Sequence, residues 1–385
     1  METSRVLFCV LSACGGSAVC VSMTVSILNS PGEAAFPGFN GKIAFKSAPP
    51  GGQLDIYTMN PDGSEVTNLT VTSGQSEQSP SWSPDGTKIA FDVYQLGDIF
   101  VISADGTGLT NVTEGDNAPS FEPDWSPDGS TIIYRCHVSL DDPGEICVMN
   151  AAGGGRTVLT NNTWIDGGPA WSPDGTRIAF NSAADGPGEV YTMDPDGGNL
   201  TNLTNNAAHD WFPAWSPDGS LIAFESGRNG LPQIYAMHSD GSGQRDLSNI
   251  PQHVAQSPAW SPDGVYIVFS SSRNGSDDIT LMRADGSQQI TLCQADGIQG
   301  DPSWQPLGSP LPPVTGSFCP AGLPTTTPAP TAPAPAPSPP VPIPFPPTGG
   351  ANQSDRKGDA MAVALGGACL LPAVLFGIRR LWRGG

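Results

Sequence analysis

Basic residues are scarce: the 385-residue chain has 16 Lys and Arg against 37 Asp and Glu, a formal net charge of −21. Phosphate backbones are held by clustered Lys and Arg, so nucleic acid is excluded as a partner. No Cys-x-x-Cys pair occurs, which removes the commonest zinc spacing. Histidine is also rare, with only His137, His209, His238 and His253. What abounds is Gly (47) and Pro (40). That composition favours many turns and few long helices.

The two ends differ from the body. Arg5 precedes a mostly apolar run, Val6 to Leu28, and small residues follow around Ala34 and Ala35. This is the layout of a secretory signal, expected over 1–35. Leu11-Ser12-Ala13-Cys14 offers a second reading, lipidation at Cys14. At the far end Ala360 to Ile378 is apolar and long enough to span a bilayer. Arg379, Arg380 and Arg383 follow it. Positive charge stays on the cytoplasmic side, so the body is expected outside the cell.

Before that span stands Phe345-Pro346-Pro347-Thr348-Gly349. It resembles the Leu-Pro-x-Thr-Gly sorting signal of Gram-positive surface proteins. The resemblance implies sortase cleavage between Thr348 and Gly349 and linkage to the cell wall. A simple single-pass anchor over 351–385 is the other reading. The stretch from Leu311 to Pro347, within 309–350, is rich in Pro, Ala and Thr. Such a run favours polyproline II. At about 3.1 Å per residue it would reach on the order of 100 Å, a stalk.

Between the ends, Trp-Ser-Pro-Asp-Gly recurs at Trp82, Trp125, Trp171, Trp215 and Trp260, and an altered copy begins at Trp304. The spacings are 43, 46, 44, 45 and 44 residues. Each unit has a Pro-x-Trp-Ser segment, a tight Pro-Asp-Gly turn, a short apolar strand such as Lys88-Ile89-Ala90-Phe91, an alternating third strand, a second Asp-Gly turn and a last strand ending near Leu-Thr. Four short antiparallel strands per unit make a propeller blade. The first unit, from Phe39, lacks a Trp segment, and Trp304 has no blade after it. Together they complete one blade. The expectation is an all-β, six-bladed β-propeller over 36–308, with four-stranded antiparallel blades and no exposed sheet edge.

These repeats resemble the TolB-type, WD-like propeller repeat. The resemblance implies the propeller fold, and the leading expectation is a binding module rather than an enzyme. No Gly-x-Ser-x-Gly elbow occurs, and the histidines hold no common repeat position, so no catalytic residue or metal ligand is assigned. Asp194 to Asn199 has some look of a calcium loop but lacks its spacing. A hairpin turn is expected there, and no cofactor.

Residues that depart from the repeat are the candidate site. The loop before each Pro-x-Trp carries Glu77, then Glu122, then Trp164 and Asp166, then His209, Asp210 and Trp211, then His253, then Asp301. These loops are expected to line one mouth of the channel. Aromatic faces beside carboxylates suit a protein or an envelope polysaccharide. The expected role is a monomeric, surface-displayed binding or scaffold module, anchored to the extracellular face of the envelope. The alternative is a polysaccharide lyase or hydrolase using those acids. Four body cysteines suggest two disulfides, Cys136 with Cys147 and Cys293 with Cys319.

Overall fold

The computed structural model describes residues 39–308, apart from 50, 72–73, 116–117, 139–142 and 294–296. It also describes the backbone of a hairpin, Ser4–Val10 paired with Val19–Val25. The remaining parts of the expected signal, the stalk, the span at Ala360 to Ile378, Cys319, Thr348 and Gly349 lie outside the described residues. Among the described residues every element is a strand, and no helix is long and apolar enough to cross a membrane.

Six four-stranded antiparallel sheets form the body. Blade 2 runs Glu77–Trp82, Lys88–Val93, Asp98–Ser103 and Thr110–Asn111, from channel to rim. Blades 3, 4, 5 and 6 repeat this order, with inner strands Ser120–Trp125, Asp166–Trp171, Asp210–Trp215 and Ala255–Trp260. Blade 1 takes its inner strand, Ile298–Leu307, from the far end of the ring and its other three from Phe39–Ala48, Asp55–Met59 and Thr67–Asn68. Leu307 pairs with Phe39. Both ends of the ring therefore leave at the turn face, opposite the mouth where the inner strands begin.

The repeated pentapeptide is explained by the turn it makes. Ser83 donates to Asp85 at 2.6 Å and accepts from the Lys88 N–H at 2.9 Å. Gly86 sits at φ +68°, and a Cβ there would lie 2.3 Å from the Pro306 carbonyl oxygen. The tryptophans are buried in all six blades and pack between them. Trp125 joins Ile132, Tyr134 and Met149 to Ala90, Ile99 and Val112 of blade 2. Five equivalent clusters join the remaining neighbours, and the one between blades 6 and 1 includes Trp304. The apolar core is thus a ring of six inter-blade layers, each needing both its neighbours.

The altered last pentapeptide is adapted to the break in the chain. No turn follows Trp304, so Gln305 does the serine's work from another strand. Its Oε1 accepts from the Lys42 N–H at 2.9 Å, and its Nε2 donates to the Gly86 carbonyl at 2.8 Å. Gln305→Ala leaves the buried Gly86 carbonyl and the half-buried Lys42 N–H unpaired. It is expected to lower stability by about 2–3 kcal/mol in a denaturant titration. A loss below about 0.5 kcal/mol would mean that water replaces the amide there.

Cys136 and Cys147 are joined, with 5.8 Å between their Cα atoms. Cys293 is also disulfide-bonded, and its expected partner Cys319 lies outside the described residues.

Candidate functional site

Every inner strand breaks its pairing at the same place. The register slips between Gln78 and Ser81, and correspondingly in the other five blades. The residue before the proline takes a left-handed conformation: Ser79 at +52°, Glu122 at +56°, Gly168 at +56°, Phe212 at +50°, Ser257 at +51° and Asp301 at +48°. Only one of these six is glycine. For the other five such a backbone costs on the order of 1 kcal/mol each, and a following proline disfavours it further. Bulges of this kind re-aim side chains, and they gather at ring mouths and binding sites.

The bulges surround a cavity of about 430 Å³ on the channel axis. One step deeper the wall has two halves. Blades 1, 2 and 3 present Ser303, Ser81 and Asp124, whereas blades 4, 5 and 6 present Ala170, Ala214 and Ala259. Phe212 adds to the more apolar half, which also carries Glu225, Gln256 and Ser257 at its edge, and Glu122 and Asp301 add to the polar half. A repeat fold has become an asymmetric pocket through substitutions at equivalent positions.

A second set of positions supports the bulges. The residue after each Ile-Ala-Phe-type triplet is Lys46, Asp92, Arg135, Asn181, Glu225 or Ser270. Asp92 accepts from the Glu122 N–H at 3.1 Å, and Asn181 accepts from the Phe212 N–H at 3.4 Å. Each side chain caps the bulge of the next blade. Lys46 and Arg135 cannot accept, and in those blades the bulge residue itself is acidic. Asp301 lies 2.7 Å from Lys46 and accepts from the Ser79 N–H at 3.4 Å. Glu122 lies 3.4 Å from Arg135 and accepts from the Gly168 N–H at 2.8 Å. Burial alone would lower Lys46, but Asp301 holds it above the ordinary lysine value.

Burial pushes Asp92 up to about 7, with Glu122 and Asp301 adding to the rise. Desolvation on the channel wall raises Asp124 to about 6, although Trp171 N–H and Ser81 Oγ both donate to it, each at 2.9 Å. Asp124 thus ties blades 2, 3 and 4 together at one carboxylate.

The residues singled out from sequence fall into three groups. Glu122 and Asp301 line the cavity. Glu77, Asp166 and Asp210 do not face it openly: each begins its inner strand with at most 1% of its surface exposed. Glu77 accepts from Thr70 at 2.7 Å and Asp166 from Asn162 at 2.7 Å, while Asp210 meets Arg228 at 2.9 Å. Glu77 thereby latches blade 2 to the end of blade 1, whereas Asp166 is held by the segment leading into its own strand and Asp210 by the Arg228 loop of its own blade. The rest stand at the rim. Trp164 is 49% exposed. The His209 and Trp211 rings meet at 5.1 Å, tilted by 48°, and the His209 imidazole lies 3.9 Å from Glu225. The His253 carbonyl accepts from Gln233 at 2.8 Å. A second aromatic group at the rim, Tyr94, Phe121 and His137, has ring spacings of 6.1 Å.

Lys46, Asp92, Arg135 and Glu225 escaped the sequence reading. Their signal is a charged residue closing an apolar strand at a fixed repeat position. Among the described residues, no group of three or more His, Cys, Asp or Glu is arranged to hold a metal ion.

Residues 98–253 match the family described as the TolB beta propeller domain. Over 76 residues the chain is 38% identical to the protein TolB homolog of Chlorobium luteolum. That match covers 19% of this chain and spans only 17% of the relative's length. The crystal structure of TolB from Acinetobacter baumannii superposes with a TM-score of 0.60 at 22% identity, covering 69% of this chain and 67% of that one. The putative TolB from Agrobacterium tumefaciens gives 0.56 at 25% identity, covering 67% of this chain and 91% of that one.

Proposed function

We propose that this chain, whose body is a TolB-type six-bladed propeller, is a surface-displayed binding module that takes a segment of a protein partner at the channel mouth. The observation that carries the reading is the strained bulge in all six blades, set around an asymmetric cavity. Strain retained at five non-glycine positions has to be offset by the surrounding packing, and it clusters where a side chain must be aimed. The apolar half would take a hydrophobic side chain of the partner, and the polar half would satisfy its backbone. The aromatic rim supplies anchors of the kind that dominate protein interfaces.

Anchoring at the outer face of the envelope through the C-terminal tail is part of the same proposal. The described ends of the ring, Phe39 and Leu307, pair at the turn face, opposite the mouth. An enzyme acting on polysaccharide gains less support. A general acid or base must reach the substrate. Glu77, Asp166 and Asp210 are buried in contacts of their own, and of the acids on the cavity wall Asp301 and Glu122 are paired with Lys46 and Arg135 while Asp124 accepts from Trp171 and Ser81.

Capture from cell envelopes tests the proposal. Full chain would be compared with a variant carrying Trp211→Ser and Phe212→Gly. The glycine suits a φ of +50°, so the variant should fold. A protein partner held by the native chain and reduced at least tenfold by the variant is the expected result. Equal capture by both sinks the mouth as the site, and capture of carbohydrate alone shifts the reading to envelope polymer.

A further inference from the structure

We propose that the joint between blades 2 and 3 on the channel wall is a proton-operated clasp, shut while Asp92 is protonated and opening to water when Asp92 ionises. Glu122 is a left-handed residue followed by Pro123, at φ +56°. It holds that conformation only where its surroundings fix it. One fixing contact is the 3.1 Å hydrogen bond from its N–H to the Asp92 carboxyl.

The charges around Asp92 make this joint unlike the others. Its side chain is buried, with 3% exposure. From blade 3 it faces Glu122, and from blade 1 it faces Asp301. Lys46 of blade 1 is the cation directed toward it, and that ammonium is already 2.7 Å from Asp301. Arg135 of blade 3 reaches Glu122 at 3.4 Å instead. The neighbours in its own blade, Gln78 and Ser79, carry no charge. Blade 4 does the same capping with neutral Asn181. An ionised Asp92 first loses its hydration in this buried joint, and Glu122 and Asp301 add like charge that is poorly screened there. Together these outweigh the Glu122 N–H and Ser79 hydrogen bonds, which favour the charged form.

The sign follows from linkage. The closed joint holds the proton up to about pH 7. An opened, hydrated Asp92 would release it near the ordinary value of about 3.9. The closed form binds more protons over that window, so closing is favoured at low pH and lost as pH rises. The opening constant should rise about tenfold per pH unit between roughly 4 and 7, then level off.

Hydrogen exchange of the Glu122 amide in the full chain, corrected for intrinsic rate, reads this directly. Protection is expected to fall about tenfold per unit up to pH 7 and to stay constant above it. The Phe212 amide, capped by Asn181, should show no such slope. Asp92→Asn keeps an acceptor, as in blade 4, and should remove the slope at Glu122. A flat profile in the native chain, or a slope that survives Asp92→Asn, overturns the clasp. If that variant fails to fold, the carbon chemical shift of the Asp92 carboxyl in the native chain decides. A midpoint near 7 supports the clasp and one near 4 refutes it. None of these readouts depends on a partner, so the clasp and the binding proposal fail separately.

Discussion

Deleting residues 298–308 is expected to unfold the whole body rather than to trim one blade. That segment is the inner strand of blade 1, and it enters the ring from its far end. Its loss strips Trp304 from the layer between blades 6 and 1. It removes Asp301 from Lys46, leaving a largely enclosed ammonium without its nearest carboxylate. It also exposes the ten-residue edge of Phe39–Ala48, a template for aggregation. Trp304→Ala in the full chain is the milder test and should cost about 3–5 kcal/mol. A domain of this kind has on the order of 5–15 kcal/mol in total. The deletion, which adds the lost strand pairing to that cost, should leave no cooperative melt by circular dichroism. A cooperative transition surviving the deletion would mean that five blades stand alone and that ring closure is dispensable.

The architecture was legible because it is written as repetition. Trp-Ser-Pro-Asp-Gly at near-constant spacing gave blade number, and the missing Trp segment of the first unit gave the closure. Each of those residues does the same local job in every blade, as Ser83 and Asp85 show at their turn. The site was less legible, for a physical reason. A carboxylate at the start of an inner strand looks identical in sequence whether it faces a ligand or a neighbouring blade. Glu77 turns to the end of the preceding blade, and Asp166 and Asp210 turn to loops beside their own strands. The distinction depends on which side of a pleated strand packs against the next sheet, and on a bulge that shifts the parity of the strand. No turn signature marks that bulge, because five of its six residues are not glycine. Lys46 meets Asp301 within blade 1 only because the ring closes there, and Asp92 caps Glu122 of the next blade 30 residues on, so neither pairing is written in the repeat spacing.

Removing the blade 3 disulfide should cost about 3 kcal/mol, the loop-closure entropy of a bridge spanning a dozen residues. Cys136 and Cys147 are both fully buried, in a core layer with Ala90, Ile99 and Trp125. Their strands pair so that Cys136 stands opposite Glu145 and Cys147 opposite Tyr134. The bridge therefore crosses a diagonal at the base of the loop that follows His137. Cys136→Ala with Cys147→Ala should lower the melting midpoint by roughly 6–12 °C, given 2–4 °C per kcal/mol for a domain of this size. Reductant added to the folded native chain should do far less, because the sulfurs are reached only when blade 3 opens. The bridge also bears on the mouth. His137 meets Phe121 edge-on, and Phe121 in turn meets Tyr94 and lies under Arg135 at 5.6 Å. A loop no longer clamped would have to be ordered by the partner on binding, and affinity should fall through that ordering cost. A double variant that melts with the native chain would assign the bridge no role in stability. One that melts lower yet binds the captured partner equally would separate the rim of blade 3 from the site and leave recognition to the Trp211 and Phe212 side of the channel.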